Sequence, residues 1–267
     1  MIYGVLAGGR SRRMGCDKAF LQFDGKYVLE LLLERFGQAG RFAPGSGFEG
    51  GGRRLSPGQS ACGPDGRPRP VASGVCLSSA RGDVGQRLIH LPEPPQEIAD
   101  VVPDAGPAGG IYSLLKALQE DIFVVATDMP FADVRLARCL MALGGVADAG
   151  GAPARRSGGS GTPSGPAIAV PPQLVVLERE DGRREMLFGY YGLGCLGALE
   201  DMLREGDYRL RNLSERVDCA VVTQAQVMAA YGPGCEKALF NMNTPKDYEA
   251  ALALMSDERP SCDCPMI

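Results

Sequence analysis

Short apolar runs alternate with amphipathic stretches along most of this chain. Residues 2–6 form an apolar run ending in Ala7-Gly8-Gly9, which predicts a buried strand entering a glycine loop. Residues 26–39 carry Val28, Leu29, Leu31, Leu32 and Phe36 at helical spacing. Runs at 75–77 and 98–102 predict short strands, and Ile111, Leu114, Leu115 and Leu118 share one helical face over 111–118. The apolar run 122–126 predicts a central strand, and 133–143 a helix. Residues 174–177 and 186–191 predict two strands around a turn at Asp181-Gly182, and a helix over 196–204 closes at Gly206. Residues 239–242 predict a strand. Thr244-Pro245-Lys246-Asp247 then opens a helix, with Thr as N-cap, Pro in the first position and Asp near the positive helix end. Strands alternating with helices predict an α/β fold, a three-layer arrangement with a mostly parallel twisted sheet and helices on both faces. In such sheets ligands bind beyond the carboxyl ends of the strands.

The pattern breaks twice. Residues 43–74 hold nine Gly and five Pro, and residues 150–172 hold six Gly and five Pro, with few large apolar side chains in either. Neither stretch can bury enough surface to offset its chain entropy, so both read as disordered insertions in surface loops. A frame-shifted stretch has the same composition. Between and around them the expected organisation is one domain over 1–254, followed by a tail at 255–267.

Charge and cysteine content narrow the classes. With 28 Lys+Arg against 32 Asp+Glu, the net charge of −4 lacks the basic excess of a non-specific nucleic-acid binder, so no nucleic-acid partner is expected. No apolar run reaches the roughly 18 residues needed to span a bilayer, so no membrane is expected. The N-terminus lacks the basic and apolar regions of a signal peptide, and a cytoplasmic location follows as the expectation. Nine Cys without framework spacing read as mostly free thiols in a reducing compartment. The only histidine, His90, cannot form a multi-histidine metal site and reads as structural or surface. Tyr190 and Tyr191 read as packing residues, and the tail cysteines Cys262 and Cys264 lack a second ligand pair nearby.

The most informative stretch is Leu6-Ala7-Gly8-Gly9-Arg10-Ser11-Arg12-Arg13-Met14-Gly15-Cys16-Asp17-Lys18. Glycines let backbone N–H groups approach anionic oxygens, and Arg10, Arg12, Arg13 and Lys18 supply positive charge. Such a loop can hold a polyphosphate, although an ordinary solvated basic loop has the same composition. It matches neither the Walker A nor the Rossmann glycine pattern. Cys16, a thiol among arginines, is a candidate for a lowered pKa and oxidation.

The order of these residues resembles the signature of the nucleotidyltransferase superfamily. Leu-Ala-Gly-Gly followed by Arg-Met-Gly-x-Asp-Lys is most similar to the molybdenum cofactor guanylyltransferase family. Three further segments resemble that family in the same order. They are Asp104-Ala105-Gly106-Pro107-Ala108-Gly109-Gly110-Ile111, the strand ending in Thr127-Asp128-Met129-Pro130, and Asn241-Met242-Asn243-Thr244-Pro245-Lys246-Asp247. Residues 184–191 and 196–211 resemble its acceptor-side region, with Met186 where the family usually has Pro. The family's nucleotide-contacting Asn near the end of the second strand is replaced within Ser78-Ser79-Ala80, which leaves base choice open.

The resemblance implies a Rossmann-like fold of the nucleotide-diphospho-sugar transferase type, carrying the two Gly/Pro-rich insertions. It implies transfer of GMP from GTP to molybdopterin, the organic part of the molybdenum cofactor, with release of pyrophosphate. Backbone N–H groups of Leu6, Ala7, Gly8 and Gly9 would hold the nucleotide. Arg13 and Lys18 would hold phosphates and stabilise the departing pyrophosphate. Asp128 would bind Mg²⁺, Asp104 would lie on the nucleotide side, and Asn241 and Asn243 would face the acceptor or metal-bound water. Molybdoenzymes and other cofactor-synthesis proteins are implied partners. Two alternatives remain open: a cytidylyl- or sugar-phosphate nucleotidyltransferase of the same fold, and a degenerate member that binds nucleotide without turnover.

Overall fold

The computed structural model describes residues 1–7, 17–40, 74–80, 82–88, 90–91, 95–146 and 170–256. The two expected insertions and the tail lie outside the described residues, except for residues 74, 170–172, 255 and 256. In chain order the elements are β1 (Ile2–Leu6), β2 (Gln22–Phe23), β3 (Lys26–Tyr27), α1 (Val28–Gly40), β4 (Val75–Ser79), β5 (Gln96–Ala99), α2 (Gly106–Leu118), β6 (Ile122–Ala126) and α3 (Val134–Gly144). There follow β7 (Leu174–Glu178), β8 (Arg184–Tyr191), α4 (Cys195–Arg204), β9 (Cys219–Thr223), α5 (Gln224–Tyr231), α6 (Cys235–Ala238) and α7 (Pro245–Ser256).

Seven strands form one sheet in the order β5-β4-β1-β6-β8-β7-β9. β1 runs parallel to β4 and β6, β4 to β5, and β7 to β9, while β8 is antiparallel to β6 and β7. Strand side chains alternate between two cores. Tyr3, Val5, Phe123, Val125, Val175 and Leu177 face the core completed by Leu29, Leu32 and Phe36 of α1 and Leu136 and Leu140 of α3. Ile2, Leu6, Ile122, Val124, Leu174 and Val176 face the core completed by Ile111, Leu114 and Leu115 of α2 and Leu199 and Met202 of α4. Both faces are covered, which is why β1 and β6 read as unbroken apolar runs. No helix of the described residues is long and apolar enough to cross a membrane.

Several local expectations need correction. The helix expected over 26–39 begins only at Val28, because Lys26–Tyr27 pairs antiparallel with Gln22–Phe23. Asp24 and Gly25, at φ +51° and +82°, make the tight hairpin turn that an Asp-Gly pair favours. Glu30 accepts the Tyr27 N–H at 2.6 Å, closing the helix start with a side chain. The strand expected at 98–102 lies at Gln96–Ala99, and α2 extends back to Gly106. Residues 239–242 are not a strand, because the Leu239 and Phe240 amides still bond back to Cys235 and Lys237 and only Met242 N–H reaches another segment. The start of α7 is as expected: the Asp247 carboxylate accepts the Asn243 and Thr244 amides at 2.8 and 2.7 Å, and the Thr244 hydroxyl accepts Asp247 N–H at 3.3 Å.

Candidate functional site

The carboxyl ends of β1, β4, β5 and β6 converge at one edge. Leu6 and Ala7 are buried there, and Ala7 N–H donates to the Ser78 carbonyl at 2.9 Å. Gly8, Gly9 and Arg13 lie outside the described residues, as do Arg10, Arg12 and Cys16. The Asp17 side chain accepts Ala19 N–H at 3.1 Å and starts the single turn Lys18–Phe20.

That turn aims Lys18 across the edge. Its Nζ donates to the Met242 carbonyl at 2.6 Å and to Asn243 Oδ1 at 2.9 Å. Asn243 Nδ2 in turn donates to Asn241 Oδ1 at 2.8 Å. Met242 N–H donates to the main-chain carbonyl of Asp128 at 2.7 Å. Lys18, Asp128, Asn241 and Asn243, far apart in sequence, are therefore brought together.

Asp128 stands two residues past β6. Its Oδ1 is buried and meets no hydrogen-bond partner. Burial pushes its carboxyl up to about 6; the Lys18 charge pulls it down, Glu185 pushes it up, and its own backbone amide and then Arg179 pull it down. A carboxylate kept dry and incompletely bonded favours a cation. Among the described residues no three acidic, histidine or cysteine side chains form a metal cage. One carboxylate suits Mg²⁺, which keeps waters and takes its remaining oxygens from phosphates.

Asp104 is exposed in the turn before α2, with left-handed backbone at φ +57°. The carboxylate at the end of β5 itself is Asp100, which sequence reasoning missed. Its Oδ1 accepts the Ser78 hydroxyl at 2.9 Å; burial raises its pKa and the Ser78 bond lowers it. A Cβ on Gly110 would stand 2.9 Å from Ser78 Oγ and 3.5 Å from Asp100 Oδ1, so glycine keeps this corner open. The available signal was position: Asp100 directly follows a strand at the ligand-binding edge.

A second pair missed in the sequence is Arg179 and Glu185. Arg179 Nε donates to Glu185 Oε1 at 3.1 Å and Nη1 to the Leu239 carbonyl at 2.8 Å, while Nη2 is buried without a partner. In the expected acceptor-side region, Asp207 is used by the turn itself: it accepts Arg209 N–H at 3.2 Å and Asn212 Nδ2 at 2.7 Å. Tyr190 and Tyr191 are buried packing residues, bonded to Asp121 and the Met186 carbonyl at 2.8 and 2.5 Å. His90 contacts the buried Glu30 in the first turn of α1. The five described cysteines are unpaired, and burial pushes the Cys76 and Cys195 thiols up to about 12.

A doubly covered sheet with its polar residues at the carboxyl ends of β1, β4, β5 and β6 defines an α/β protein whose ligand edge lies there. The family model of the MobA-like NTP transferase domain matches residues 4–44 and 69–222, and the chain belongs to that family. It is 27% identical over 256 residues to a "Probable molybdenum cofactor guanylyltransferase" of Pelotomaculum thermopropionicum, covering 96% of this chain and 93% of that one. A molybdenum cofactor guanylyltransferase of Xanthomonas euvesicatoria is 31% identical over 140 residues, 52% of each chain. The fold is shared with molybdopterin-guanine dinucleotide biosynthesis protein A of Archaeoglobus fulgidus. The TM-score is 0.63 at 19% identity, over 96% of this chain and 100% of that one.

Proposed function

We propose that this chain transfers GMP from GTP to molybdopterin and releases pyrophosphate. The observation that carries the reading is the meeting of Lys18, Asn243 and the open Oδ1 of Asp128 at the carboxyl edge of the sheet. The relatives' names supply the substrates; the residues supply a rationale for the chemistry. A phosphate of the acceptor attacks the α-phosphorus of GTP, the bond to the β-phosphate oxygen breaks, and pyrophosphate leaves with that electron pair. Such a reaction asks for positioning and charge neutralisation rather than a covalent enzyme intermediate. Lys18, with Arg13, holds the β- and γ-phosphates and offsets charge on the leaving group. Gly8 and Gly9 present backbone N–H groups to the nucleotide, while Leu6 and Ala7 anchor the loop to the sheet: the Ala7 N–H expected to serve the nucleotide is already given to the Ser78 carbonyl. Asp128 holds Mg²⁺, which would neutralise phosphate oxygens when bound. Asp100 with Ser78, and Asp104 beyond it, lie on the nucleotide side. Asn241 and Asn243 lie toward the acceptor.

The test is pyrophosphate release by purified protein with Mg²⁺, molybdopterin and either GTP or CTP. Release with GTP alone is the expected result. Release with CTP alone would assign the cytidylyl reaction, which the absence of the usual Asn within Ser78-Ser79-Ala80 leaves open. Folded protein that binds nucleotide but releases nothing would make the chain a non-catalytic member.

A further inference from the structure

The segment 239–243 carries Asn241 and Asn243, yet no sheet ladder holds it. Leu239 and Met242 pack it into the core, and bonds to other parts of the chain fix its ends. Near one end Met242 N–H meets the Asp128 carbonyl at 2.7 Å and the Met242 carbonyl meets Lys18 at 2.6 Å. At the other end the Leu239 carbonyl accepts Arg179 Nη1 at 2.8 Å.

Arg179 is itself fixed. Its backbone closes the β7–β8 turn, with Arg179 N–H to the Arg183 carbonyl at 2.8 Å and Gly182 N–H to the Arg179 carbonyl at 2.9 Å. The β7–β8 register shifts between Val176 and Leu177, just before Arg179. Such irregularities commonly re-aim side chains beside active sites. Glu185, across the hairpin, accepts Nε at 3.1 Å with both side chains mostly buried, at 17% and 20% exposure. A planar guanidinium can serve Glu185 and the Leu239 carbonyl together in one rigid plane; a lysine ammonium on its flexible stem cannot reproduce that fork.

We propose that Arg179 is a positioning residue: fixed by Glu185, it grips the Leu239 carbonyl and so seats Asn241 and Asn243 against Lys18 and Asp128. The β7–β8 hairpin thereby acts on the site through main chain, without touching the reacting phosphates. The proposal rests on the reading of this edge as the nucleotidyl-transfer site.

The experiment compares the full chain with Arg179→Lys and with the paired replacement Arg179→Met, Glu185→Gln, which leaves no unpaired carboxylate. Hydrogen exchange at the Met242 amide is read beside steady-state kinetics. Exchange at Met242 is expected to rise at least about tenfold in both variants while the β1 and β6 amides hold. The kcat is expected to fall about 10- to 100-fold, with the nucleotide KM changing less than about threefold. Wild-type exchange at Met242 would overturn the proposal. So would equal acceleration throughout β7 and β8 with kcat unchanged, the mark of a merely structural ion pair. If the unaltered chain shows no turnover, the nucleotidyl-transfer reading fails while Met242 exchange still decides what Arg179 holds.

Discussion

In the parallel half of the sheet, β5-β4-β1-β6, polar side chains gather at strand ends and stop short of satisfying one another. Ser78 bonds Asp100, but Asp128 Oδ1 is left without a partner. In the half built from β8, β7 and β9 the polar groups close mostly on themselves. Arg184 donates to the Ser214 hydroxyl at 2.9 Å, Arg216 to Glu205 at 2.6 Å, and Tyr190 to Asp121 at 2.8 Å. The first half leaves a carboxylate oxygen open at the edge where its parallel strands end together. In the second half β7 and β9 run with β6 and reach that same edge, where Arg179 follows β7 with Nη2 buried and unpartnered; only β8 runs the other way, and most other polar groups there are bonded to one another. Asp128 follows β6, the strand where the halves meet.

The largest test of this contrast is Asp128→Asn. Turnover with Mg²⁺ is expected to fall about 10³-fold, comparable to removing a principal electrostatic contact. The melting temperature should hold or rise, because the buried carboxylate is penalised. Pyrophosphate release and thermal melts read the two effects, and undiminished Mg²⁺-dependent turnover would remove Asp128 from the metal role. Lys18→Ala should lower kcat about 10²-fold. A change confined to KM would reduce Lys18 to ground-state binding.

A smaller effect is expected at the nucleotide corner. Ser78→Ala leaves Asp100 without that hydroxyl and pushes its carboxyl further up. The KM for nucleotide should rise about three- to tenfold with the acceptor KM unchanged; an equal shift in both would break the division into sides. The smallest effect is in acid. The Asn243 amide, followed by Thr244, holds the Asp247 carboxyl below its usual range. Its folded pKa is depressed, so its stabilisation is complete above the unfolded value of about 4 and is lost as pH falls through the folded value. Thermal melts from pH 5 downward should show a shallower acid loss for Asp247→Asn than for the unaltered chain.

Much of this was legible in the chain because it is written locally. The alternation of strands and helices gave the α/β class, and Thr244-Pro245-Lys246-Asp247 announced a helix start that the bonds bear out. Another local signal is Thr223 with Gln226, which form a reciprocal cap at the start of α5, a start the apolar pattern over 219–231 does not reveal. Edge strand β9, with only one paired neighbour, carries a weaker hydrophobic pattern than β1 or β6.

By itself the sequence determined which segments bury a face, where several helices begin, and which residue types could serve phosphate chemistry. Those properties depend on neighbours a few positions away, through side-chain periodicity and capping bonds. The tertiary structure alone decided that Asp100 meets Ser78, that Lys18 reaches Asn243 across the chain, and that Arg179 grips the carbonyl of Leu239. Each of these contacts joins segments brought together by strand order. Strand order is fixed by burying two apolar faces at once, a requirement that no single stretch of sequence carries.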